Sequence, residues 1–172
     1  MNGIVAALAV LAALDLPQRV HQLRDVTPTQ RLVVAAATVA ATVLASVVAT
    51  PLLDALDISA PNLQIGAGVV LAIFSLLAVV RWDDSPAPGA VAGGLVPLLF
   101  PIVLTPAVGV VVLAVAARNG VLVPVAVAVG GAAVLGWSGS ERLVGRRPIR
   151  MLSATVGIVV GVALIVNGAF AV

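Results

Sequence analysis

In the stretch LAALDLPQRVHQL, Asp15 and Pro17 interrupt an apolar run that begins at Gly3. A carboxylate within a membrane-spanning segment costs about 2.5–3.5 kcal/mol on insertion scales, so it must face the bundle interior or water. There it could hold a cation or a proton. The same residues also suit a helix start, with Asp15 capping a short helix from Leu16 and Pro17 in its first turn. A third reading puts Asp15 near the membrane surface, paired with Arg19. A second interruption falls in GGLVPLLFPIVLTPAVG, where Thr105 can cap a helix that begins at Pro106. Helix starts leave unpaired N–H groups that favour an anion. A zwitterionic solute would suit both Asp15 and those helix ends.

Other polar residues stand in apolar runs. Gln64 and Asn167 join Asp15, Pro17, Thr105 and Pro106 as candidate ligands, although interhelical hydrogen bonding is the more common use of an amide there. Thr38, Thr42, Ser46 and Thr50 recur every fourth residue and so form one slowly rotating stripe on a helix. They could line a polar path. More often such hydroxyls bond back to the preceding turn or pack on a neighbour. His21, the one histidine, lies among arginines and is expected at the interface, as are Trp82 and Trp137 at span ends. Cysteine is absent, and Asp83 with Asp84 in RWDDSPAPG forms no metal pattern. There is no nucleophile–base pair, ligand cluster or phosphate loop, so neither an enzyme nor a cofactor is expected.

The elements that carry these residues follow from composition. The 172-residue chain is 62% hydrophobic and 9% charged. A soluble domain usually carries ~45–50% apolar residues. Long apolar runs without alternation point to membrane helices rather than a barrel. Six segments emerge, at about 3–23, 32–53, 63–80, 91–117, 121–137 and 151–172. Leu32 to Leu53 would run about 33 Å as a helix; Thr27, Pro28 and Gln30 before it make a capping box. Pro124 suits a first turn. Gly66, Gly68, Gly157 and Gly161 point to close helix approach. The first and fourth segments are irregular. Only about 18 Å of helix precedes Asp15, and Pro97, Pro101 and Pro106 interrupt the fourth.

Charge fixes the expected orientation. Eight of the nine basic residues, all arginines, fall in the connections after segments one, three and five. Arg19, Arg24, Arg31 and Arg81 are among them, as are Arg142, Arg146, Arg147 and Arg150; Arg118 stands apart, on the side of Asp54 and Asp57. The positive-inside rule then sets both termini outside, in a bacterial inner membrane if the GC-rich cast of the composition is a guide. ERLVGRRPIR could meet anionic headgroups. Nothing points to nucleic acid, and homo-oligomerisation stays open. Three spans followed by three would insert as inverted halves, with the irregular segment first in each.

With these segments in place, the chain resembles the MarC family of six-helix bacterial membrane proteins, related to the LysE-type exporters. LDLP stands where that family has Asp-Pro-x-Gly-Asn-x-Pro, with Asp15 matching, Leu16 replacing the proline and Gln18–Arg19 replacing Gly-Asn. ISAPNLQIGAGVVL is similar to its third segment through Ser59, Pro61, Ile65 and Gly68, with Gln64 where an arginine is common. VPLLFPIVLTP is similar to the fourth through Pro101 and Pro106, with Thr105 and Ala107 in place of glycines. The closing ERLVGRRPIRMLSATVGIVVGVALIVNGAF follows the family's last loop and helix. The resemblance implies a small-solute transporter or exporter, with amino acids the usual suggestion. The expectation is therefore one all-α domain of six membrane segments that moves a small polar solute, coupled to a cation or proton. The alternative is a non-transporting scaffold or accessory subunit that keeps the fold. The breaks at Asp15 and Thr105 are expected to meet near the membrane interior.

Overall fold

A computed structural model describes residues 2–23, 27–80, 105–137 and 147–172. Trp82, Asp83, Asp84, Pro97, Pro101, Arg24, Arg81, Arg142 and Arg146 lie outside the described residues, as does the His21 side chain. Every regular element among those described is an α-helix: α1 (Gly3–Leu14), α2 (Leu16–Gln22), α3 (Pro28–Leu56), α4 (Ala60–Val80), α5 (Pro106–Asn119), α6 (Leu122–Gly136) and α7 (Arg147–Ala169). Four stretches are long and apolar enough to cross a membrane: Gly3–Val20, Pro28–Ala55, Ala60–Val80 and Met151–Ala169. Helices α5 and α6 are apolar but shorter.

Local chemistry sets the helix ends. Thr27 caps α3 as the sequence foreshadows, its hydroxyl accepting from the Gln30 N–H while the Gln30 side chain accepts from the Thr27 N–H. Helix α3 then runs past the expected Leu53 to Leu56, carrying Pro51 inside its last turns. A proline there removes one bond of the ladder. Asp57, in the left-handed region at φ 52°, stops it.

Close contacts fix how the helices run. Gly168, late in α7, approaches the Pro61 carbonyl at the start of α4, and Gly157, early in α7, meets Ser75 near the end of α4. The two helices are therefore antiparallel, residues 157–168 of α7 running against 61–75 of α4. Backbone meets backbone most closely where a Cβ on Gly68 would stand 2.5 Å from the Gly161 carbonyl, and one on Gly161 would stand 2.8 Å from the Gly68 carbonyl. Gly66 has open space instead of a partner, contrary to its expected role in close approach. Gly157 also lies near Ala12, and Gly131, late in α6, meets Leu14 and Leu16. With Arg118 at the end of α5 donating to Gln64 at the start of α4, one face of the bundle carries the starts of α1 and α4 and the ends of α5 and α7.

A buried cluster joins α1 to α5, with Ala6, Val10 and Leu14 beside Val108, Val111 and Val115, and α4 and α7 add Leu71 and Leu164. A smaller cluster sets Val20 and Leu23 of α2 against Val34 and Leu135. The main helix pairs are α4 with α7, α3 with α6, α5 with α3 and α4, and α1 with α6 and α7.

Candidate functional site

The first segment breaks at Asp15. Its backbone is left-handed, φ 42° and ψ 55°, and its N–H donates to the Ala12 carbonyl, closing α1. Its own carbonyl accepts from the Gln18 and Arg19 N–H groups at 3.1 and 3.2 Å, which opens α2. Helix α2 begins at Leu16 as expected, and Asp15 is in addition the left-handed C-cap of α1. Asp is one of the few residue types that tolerates this region, because its short side chain can bond locally. Pro17 sits buried in the first turn of α2, where its missing N–H costs little.

Helix α5 begins after Thr105. The Thr105 backbone is extended (φ −70°, ψ 145°), its hydroxyl accepts from the Val108 N–H at 3.3 Å, and Pro106 opens α5. One straight helix through 91–117 is thus ruled out at this residue. Helices α1 and α5 are of similar length. Helix α1 has 12 residues and α5 has 14, so they run about 18 and 21 Å from the face they share. Both are shorter than a hydrocarbon core of ~30 Å. Leu14 and Val108, immediately inside the two breaks, belong to one buried cluster, and Leu16 packs on it.

Arg19 departs most from the sequence reading. Counted there as a topology-setting charge and also offered as a surface partner of Asp15, it lies within α2 at 3% exposure. The Asp15 carboxylate, four residues earlier, is its electrostatic partner. A guanidinium in that position is costly unless a carboxylate balances it. The signal was present: Leu14, Pro17, Val20 and Leu23 continue a buried stripe through the supposed loop, and Arg19 lies beside it.

The remaining candidates separate. Gln64 is fully buried and accepts a 2.5 Å hydrogen bond from Arg118 Nη1, tying the start of α4 to the end of α5. That is the interhelical role expected of it, away from the breaks. Asn167 is exposed and donates to the Ala163 carbonyl of its own helix, so it neither bridges helices nor joins the site. Thr38, Thr42 and Ser46 are buried, whereas Thr50 is exposed. The Thr38 and Thr42 hydroxyls each donate to the carbonyl one turn back, at 2.8 Å. Ser46 Oγ has no hydrogen-bond partner among the described residues. The buried part of the stripe, Thr38 to Ser46, packs inside the bundle, and Thr50 lies outside it. Trp137 caps the end of α6 at 55% exposure, suited to an interfacial anchor.

Among the described residues no three His, Cys, Asp or Glu side chains gather as a metal site. Comparison with known proteins returns no matching family model, no matching curated protein and no matching solved structure.

Proposed function

We propose that this chain is a membrane transporter of a small polar solute, with its site at the facing breaks of segments one and four. The reading is carried by two short helices, α1 of 12 residues ending at Asp15 and α5 of 14 residues beginning after Thr105, whose ends at those residues would lie at similar depth in a bilayer. Irregular backbone at membrane depth is tolerated where protein buries it or where it lines a cavity, and paired broken segments in corresponding positions are the hallmark of a transporter site.

The packing supports six segments arranged as two inverted halves. Exchanging segments one, two and three for four, five and six leaves the main helix pairs unchanged. Helix α4 pairs with α7 and α3 with α6, while α1 meets α6 and α7 as α5 meets α3 and α4. The smaller contacts of α5 with α6 and of α1 with α4 fall outside the exchange. Asp15 and Thr105 are separated along the chain by nearly the same interval as Gly68 and Gly161, the glycines that cross at the α4–α7 seam. The arginine distribution puts both termini outside, in the cytoplasmic membrane of a bacterium. This layout agrees with the MarC-like resemblance of the sequence, which we carry forward as part of the proposal.

A specific observation also favours the scaffold alternative: the Thr38 and Thr42 hydroxyls are used within their own helix and offer no polar path. Flux decides between the two. Protein in liposomes should accumulate a small solute from a panel under an imposed ion gradient, and Asp15→Asn should lose the gradient-driven part while still folding. No flux for any solute would leave the scaffold; equal flux from both proteins would remove Asp15 from the mechanism.

A further inference from the structure

We infer that the Arg118–Gln64 hydrogen bond is a latch: it holds α5 closed against α4 on the outer face, and its release opens a way to the breaks from outside. The transporter reading supplies the purpose and the orientation of this device, which itself stands on how α5 is held. Helix α5 is a short rod with a backbone break at each end. Thr105 at its start is extended, and Gly120 at its end, at φ 79° and ψ 173°, takes a conformation that favours glycine. Helices α4 and α7, by contrast, meet backbone to backbone at Gly68 and Gly161, which fixes that pair as a frame.

One side of α5 is packed and the other is not. Val108, Val111, Val112 and Val115 are buried in the main cluster. Pro106, Gly109, Leu113 and Ala117 form a second stripe in which no residue is fully buried, and a Cβ on Gly109 would meet nothing within 4 Å. Apolar contact is non-directional and lets a rod tilt. The Arg118 bond is directional and acts at the end of the rod far from Thr105, where a tilt gives the largest displacement. Its two partners differ in a way that suits release: Gln64 is fully buried, whereas Arg118 is exposed and can turn to water. Bonds to charged groups are strong enough to shift a closed–open equilibrium by about tenfold or more.

The test puts Thr105→Cys into the full chain in sealed cells and times its reaction with a thiol reagent that cannot cross the membrane, added outside alone. Adding Gln64→Leu or Arg118→Ala should speed the reaction about tenfold or more. Adding Gln64→Glu, whose carboxylate holds the guanidinium more firmly, should slow it. Leu44→Cys should respond to none of these changes. Should Gln64→Leu fail to fold, Arg118→Ala and Gln64→Glu still decide, because they must move the rate in opposite directions. A purely structural tie would lower the unfolding temperature of the two loosening variants and leave the rate at residue 105 unmoved. That result overturns the latch, as does Gln64→Glu reacting as fast as Arg118→Ala, or no reaction at residue 105 in any protein. Rates that follow the latch without flux in liposomes would uphold it and defeat only transport; flux with rates blind to the latch would do the reverse.

Discussion

Asp15 shows how far single residues can be read from a chain of this kind. A carboxylate and a proline two positions later mark a break, and the break is there. Its left-handed form was not legible, since an Asp ahead of a helix fits an extended N-cap equally well until the backbone is seen. Arg19 was hidden by a different cause: arginines near span ends are counted for topology, and counting cannot distinguish a solvated guanidinium from a buried one. Gln64 was legible as an interhelical amide, although its partner, Arg118, is 54 residues away and no local pattern names it. Two predictions belong at this scale. Thr105→Ala removes the acceptor for the Val108 N–H and should cost about 1 kcal/mol of stability, the usual worth of an N-cap, in reversible unfolding. Gln64→Leu deprives an arginine of its acceptor and should cost about 1.5–3 kcal/mol, as bonds to charged groups do. A Gln64→Leu protein as stable as wild type would show that Arg118 simply turns to water.

Between elements, the firmest contact is the α4–α7 seam. Small residues let backbones approach closely where no hydrophobic force drives helices together in lipid. The Gly157–Gly161 spacing announced that seam, but not which helix would meet it, and Gly66 shares the composition without the contact. Gly161 faces the Gly68 carbonyl and the Ala72 backbone N, neither of which can swing aside like a side-chain end. Gly161→Val should therefore separate the helices and lower the unfolding temperature sharply. Gly66→Val, in open space on the same seam-forming helix, should have little effect. Similar losses from both would contradict the seam.

At the level of the whole molecule, the main packing pairs are those that the proposed exchange of halves requires, and this pairing could not be seen in the sequence, whose self-similarity is weak. What could be seen was the placing of the irregular segments, first in each half. The starts of α1 and α4 and the ends of α5 and α7 share one face. Tags on both termini and a label beside Gly120 should accordingly be reached from the same side of intact cells, the outside. Labelling of the two termini from opposite sides would break the topology. The central claim is that the breaks at Asp15 and Thr105 meet a wet site inside the bilayer. The chain has no cysteine, so single cysteines can be introduced without background. Leu44 gives the control: it lies 12 residues before the end of α3 and is 66% exposed on the bundle's outer surface, at a depth close to that of the breaks. The measurement is the rate at which a small hydrophilic thiol reagent modifies Asp15→Cys, Thr105→Cys and Leu44→Cys in native membranes. The account predicts fast reaction at positions 15 and 105 and almost none at 44, and equal, negligible reaction at all three would contradict it.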